Sequence, residues 1–125
     1  MTEEALYEQV AHYLRLKHPG LLFHFDLSGM WTPSHKARNL YGRLNKRAWP
    51  DLFVVAPNNL TVVYAGLFIE LKREGTKLKK KDGAWTTPHI AEQAEVLDQL
   101  MLAGYLADFA VGFEEAVVLI GEYRA

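Results

Sequence analysis

Cysteine is absent from all 125 residues, so neither a disulfide framework nor a thiolate metal site can form. Long hydrophobic runs are lacking as well. None approaches the ~18 residues of a membrane span, and Met1-Thr2-Glu3-Glu4 is unlike the start of a signal peptide. These absences lead to the expectation of an intracellular protein with no membrane attachment. The five histidines, His12, His18, His24, His35 and His89, show no metal-ligand spacing and read as surface or packing residues. His24 alone, on an early strand, stays in view as a neighbour of the site. Between residues 27 and 50 there is no acidic residue at all.

What is present is ordinary in bulk and uneven in detail. Half of the residues are apolar and 23% are charged, the composition of a globular chain. The length suits one domain, residues 1–125, with one core. The net charge of −1 conceals a division. Residues 36 to 81 hold eleven of the fourteen basic residues against three acids, a local excess of +8. A polyanion would find such a face. Lys77, Lys79, Lys80 and Lys81 also fit a solvated turn. That explanation suits Lys36, Arg38, Arg43, Lys46 and Arg47 less well, because no acids lie among them.

No repeat or linker divides the chain. Thr2 can cap a first helix with Glu3 and Glu4 in its first turn, where the helix dipole favours acids. Leu6, Val10, Tyr13 and Leu14 recur at helical spacing until Pro19-Gly20. Leu21 to Phe25 reads as a short buried strand. Ser28 to Arg47 reads as a basic loop with room for a short helix. Asp51 to Ala56 and Leu67 to Lys72 are apolar strands separated by the turn signal Pro57-Asn58-Asn59. Lys77 to Trp85 reads as a hairpin around the two-residue turn Asp82-Gly83. Thr87-Pro88 then opens a helix whose buried face would be Ile90, Ala94, Leu97 and Met101, ending at Gly104. Tyr105 to Val111 is a further strand. Phe113, Ala116, Val117 and Ile120 line a last helix. The order, α-β-β-β-hairpin-α-β-α, predicts an α/β fold with a mixed sheet flanked by helices.

The chemistry concentrates on Asp51, Glu70 and Lys72. Alternation sends Glu70 and Lys72 to one face of their strand and Leu71 to the other. A simple hairpin about Asn58-Asn59 sets Asp51 opposite Glu70, with Cβ atoms ~5 Å apart. Carboxylates that close repel unless a cation holds them. A hard divalent ion does so through carboxylate and backbone carbonyl oxygens, here Asp51, Glu70 and the carbonyl of Leu71. Such an ion polarises a phosphoryl oxygen and lowers the pKa of a bound water, and Lys72 beside it can position the nucleophile or balance transition-state charge. The blander alternative makes Glu70 and Lys72 an exposed ion pair worth under ~1 kcal/mol. Gln93 and Glu3 both fall on inward helix stripes, where polar groups need partners. An active site would supply them; so would helix-end solvation for Glu3 and a backbone hydrogen bond for Gln93. Trp31 and Trp49 flank the basic loop, where they can stack on bases or simply be buried.

Thr2-Glu3-Glu4-Ala5-Leu6, Trp49-Pro50-Asp51-Leu52-Phe53, Gly66-Leu67-Phe68-Ile69-Glu70-Leu71-Lys72, His89-Ile90-Ala91-Glu92-Gln93 and Gly104-Tyr105 together resemble the VRR-NUC family, a branch of the PD-(D/E)XK nucleases. The resemblance spans nearly the whole chain. It implies a PD-(D/E)XK core, into which the basic hairpin read above would be inserted, and Mg²⁺ or Mn²⁺ as cofactor. It also implies Asp51 and Glu70 as metal ligands, Lys72 as the catalytic lysine, Gln93 as the motif glutamine and Glu3 as the acid of the first helix. Small members of this family resemble homodimeric phage nucleases acting on branched DNA such as four-way junctions, which would place the protein in the cytoplasm of a bacterium or a phage-infected host. The chain departs from the family at Tyr7, where Gln is usual, at Ala48, where Gly is common, and in the length of the 77–85 hairpin.

The leading expectation is therefore a metal-dependent DNA endonuclease of replication or repair, with Arg38, Arg43, Lys46, Arg47 and the 77–81 lysines on phosphates. Its rival is a non-catalytic DNA-binding or assembly protein that keeps the fold. A sequence-specific restriction enzyme ranks lower, since no base-reading module accompanies the core.

Overall fold

Thr2 and Thr87 cap their helices as their sequence context predicts, accepting hydrogen bonds from the amides of Ala5 (3.0 Å) and Ile90 (3.1 Å). The computed structural model describes residues 1–27, 34–55 and 64–124. In chain order these form α1 (Glu3–Lys17), β1 (Leu22–Phe25), α2 (His35–Leu44), β2 (Leu52–Val55), β3 (Leu67–Lys72), α3 (Pro88–Leu102), β4 (Leu106–Val111) and α4 (Gly112–Arg124). The sheet order is β1-β2-β3-β4, with the first two pairings antiparallel and the last parallel. This is the mixed sheet expected. The Pro57-Asn58-Asn59 turn and Trp31 lie outside the described residues.

Alternation along β3 divides the core between the two sheet faces. Leu67, Ile69 and Leu71 pack with Leu6, Val10 and Leu14 of α1 and Ala116 and Ile120 of α4. Phe68 turns the other way, onto Val96, Leu97 and Leu100 of α3. Gly66 permits this second cluster its closest approach. A Cβ there would stand 2.7 Å from the Phe53 ring, which stacks on Phe68 at 4.3 Å between centroids.

Four expectations need correction. β1 is an edge strand with Leu22 69% exposed and His24 exposed, because β2 is its only strand neighbour among the described residues and only Phe23 and Phe25 reach the core. On α3 the sheet takes the arc of Gln93, Val96, Leu97 and Leu100, which leaves Met101 at 41% exposure. On α4, Val117 is only half-buried, and Tyr123 fills the core in its place. The 77–85 segment folds back as a minimal antiparallel hairpin, with Thr86 N–H donating to Leu78 O, but its loop has three residues rather than two. One bridge, Lys79 to Trp85, is followed by a three-residue loop, with Lys80 N–H donating to Ala84 O and Gly83 N–H to Lys80 O. Gly83 adopts φ +90° there, the left-handed position of such a loop. The short helix for which the basic loop had room is α2, capped by Ser34. None of its side chains is buried.

Candidate active site

In β2 and β3, Leu52 faces Ile69, Phe53 faces Phe68 and Val54 faces Leu67. One step further along this register Asp51 stands across from Glu70, as the sequence suggested. Glu70 shares the face of Phe68 and so turns toward α3, where Gln93 Nε2 donates to its Oε1 at 2.6 Å. Among the described residues these two are the buried polar side chains of the core, 3% and 6% exposed. Gln93 Oε1 is buried without a hydrogen-bond partner, so an acceptor is left over on this wall.

Asp51 is held from two directions. The Leu71 amide donates to its Oδ2 at 2.8 Å. The Tyr7 hydroxyl lies 2.6 Å from its Oδ1 and 2.8 Å from Oε1 of Glu3. A strand residue sends its N–H and C=O to the same edge, so the Leu71 carbonyl is also aimed toward the Asp51 side. Glu3, Asp51, Glu70, Leu71, Lys72 and Gln93 all line a single cleft of about 540 Å³, where the N-terminal turns of α1 and α3 approach the end of the sheet. Glu3, rather than Glu4, is the first-helix acid on its wall.

The electrostatics follow from this crowding. Burial first, then the hydrogen bond and charge of Asp51, push the Glu70 carboxyl up to about 10, against a smaller downward pull from Lys72. The Tyr7 phenol is also raised, by burial first and then by Asp51 and Glu3. A buried acid that cannot ionise beside another acid is what a counter-cation would relieve. The donors fit a hard divalent ion: two carboxylates and a backbone carbonyl. They do not amount to an all-side-chain cage, and among the described residues no three acids or histidines gather at metal-binding spacing.

The basic residues distribute unevenly. Of those expected on phosphates, Arg47 lines the cleft, and its Nε lies 3.6 Å from Glu92 Oε1 in an exposed pair. Arg38 and Arg43 sit on α2 and Lys46 just beyond it, and none of the three lines the cleft. Lys77, Lys79, Lys80 and Lys81 are also off its walls, with Lys79 Nζ 4.8 Å from the Trp85 ring centroid. Trp49 does reach the wall, 39% exposed and edge-on to Phe68. His24 does not, whereas His89 in the first turn of α3 does, together with Arg73.

Reading the sequence missed His89, Arg73 and above all Tyr7. A signal for Tyr7 existed: it lies one helical turn after Glu3, so the two share a face. Ala48, just before Trp49-Pro50-Asp51, has φ +60°. This left-handed turn directs Trp49 onto Phe68, with Pro50 buried behind it.

No family model matches the sequence, and no curated protein is similar to it. Among solved structures, a VRR_NUC domain protein is similar in fold, with a TM-score of 0.65 and 22% identity over 98% of this chain and 88% of that one. The likeness is one of architecture, a mixed sheet flanked by helices. No helix among the described residues is long and apolar enough to cross a membrane.

Proposed function

We propose that this protein is a Mg²⁺- or Mn²⁺-dependent DNA endonuclease of the VRR-NUC kind, selective for branched DNA and serving phage or bacterial replication or repair. The observation that carries this reading is the meeting of Glu3, Asp51, Glu70, Lys72 and Gln93 in one cleft, with Asp51 one residue before the β2–β3 pairing and so next to Glu70. The fold shared with a VRR_NUC domain protein supports it.

Asp51, Glu70 and the Leu71 carbonyl would hold the cation. When bound, it supplies Lewis acidity toward a phosphoryl oxygen and a water of lowered pKa. Lys72, on the same face as Glu70, places an ammonium where negative charge develops on the phosphorus oxygens. Gln93 keeps the Glu70 carboxylate directed into the cleft through its amide. Arg47 and Arg73 at the wall take neighbouring phosphates. The remaining basic residues, Arg38, Arg43, Lys46 and the 77–81 lysines, lie off the cleft and would follow the strand away from the scissile bond, giving binding a steep salt dependence. One subunit carries one such cleft, so symmetric cutting of two strands would require a homodimer.

The test is incubation with a labelled four-way junction and a matched linear duplex in Mg²⁺, Mn²⁺ or EDTA. Cuts in the junction that require metal are expected. Equal cutting of both substrates would remove the structural selectivity but keep the enzyme. Tight binding with no cutting under any metal would transfer the function to the DNA-binding or assembly alternative.

A further inference from the structure

We infer that Tyr7 is the positioning residue of the metal site: it fixes the Asp51 carboxylate in the orientation a cation requires and makes the first helix part of that site. This rests on the reading of Asp51 and Glu70 as metal ligands.

Asp51 lies just before the first residue of β2, immediately after Pro50. Its backbone carbonyl is tied by the Asp26 amide at 2.7 Å, which leaves the side chain to be oriented by its own partners. The Leu71 amide bonds Oδ2. A single bond fixes one oxygen and leaves the carboxylate free to pivot about it. The Tyr7 hydroxyl at Oδ1, 2.6 Å away, is the second point and defines the plane. Apart from the proton that Glu70 shares with Asp51, which a bound cation would replace, each oxygen takes one hydrogen bond and keeps a lone pair for the cation.

Tyr7 suits this task for three reasons. Its ring is 7% exposed and packs on Phe25 at 5.4 Å between centroids, so the core presets the position of its hydroxyl. The phenol is a neutral donor. An Arg or Lys at this point would orient Asp51 equally well but would cancel the charge that attracts the cation. Finally, the same hydroxyl touches Glu3 Oε1 at 2.8 Å, which keeps that exposed acid turned toward the cleft.

Tyr7→Phe removes the hydroxyl and keeps the ring. In a titration of the DNA-free protein with Mn²⁺, the variant is expected to bind at least about ten-fold more weakly, the usual cost of losing an outer partner of a metal ligand. Saturating Mn²⁺ should restore its cleavage rate toward wild type, a split between metal affinity and turnover that a general folding defect would not produce. Wild-type affinity in Tyr7→Phe would overturn the inference. The metal-site reading would survive that result provided Asp51→Asn has lost Mn²⁺. Wild-type protein binding Mn²⁺ no better than Asp51→Asn would overturn both. A second readout needs no variant: a Tyr7 hydroxyl proton held between two carboxylates should exchange slowly enough to be seen by NMR, and free exchange with water would count against the bridge.

Discussion

Glu70→Gln should make the metal-free protein more stable while destroying its activity. Folded Glu70 keeps its proton up to about pH 10, whereas the unfolded chain releases it near the ordinary value of 4.5. Between those limits the folded state binds one more proton, so wild-type stability falls as pH rises, by at most about 1.4 kcal/mol per unit. From 4.5 to pH 7 this amounts to about 3 kcal/mol, equivalent to a melting shift on the order of 10 °C for a domain of this size. Glutamine has no proton to lose. Its Oε1 can accept from Gln93 as Glu70 does, and its amide can donate to Asp51, imitating the protonated acid. Thermal melts in EDTA should therefore show wild type and variant alike near pH 4, with the variant pulling ahead toward pH 7. Mg²⁺ should then raise the melting point of wild type alone. A variant no more stable than wild type at pH 7, or a difference that does not grow with pH, would refute the picture of two acids forced together in a buried site.

Other perturbations read other parts of the molecule. Gly66→Ala drives a Cβ to within 2.7 Å of the Phe53 ring and should cost about 1–3 kcal/mol in denaturant melts. Ala48→Gly removes a side chain from φ +60°; relief of left-handed strain, offset by the freer unfolded chain, should leave a gain of up to about 1 kcal/mol. Thr87→Ala deletes the cap of α3 and should lower stability by about 1 kcal/mol. It should also weaken cleavage, because that helix carries Gln93.

The parts of this fold that could be read in the sequence are those where one period governs one face. The pairing of Asp51 with Glu70 followed from reading the two strands as a simple antiparallel pair, in which a slip of one residue would turn every side chain to the other face. α1 and α3 announced themselves by capping threonines and apolar stripes. What escaped is what depends on how elements dock. Leu21 to Phe25 is apolar enough to be central, yet sheet order leaves it at an edge. Tyr7 looks like another core aromatic until α1 is laid against the end of β2, which brings its hydroxyl to Asp51. His89 looks like a helix-surface residue until α3 turns its first turn to the cleft. The 77–81 lysines drew attention by their number, and the fold sets them away from the acids.

If Asp51, Glu70 and Lys72 form a phosphodiester-cleaving centre, single-turnover cleavage of a four-way junction in Mg²⁺ by wild type and Lys72→Ala at matched DNA occupancy will separate the two proteins. Lys72→Ala should bind and melt close to wild type and cut nothing measurable. Cleavage by Lys72→Ala at the wild-type rate would remove the lysine from the chemistry and the centre with it.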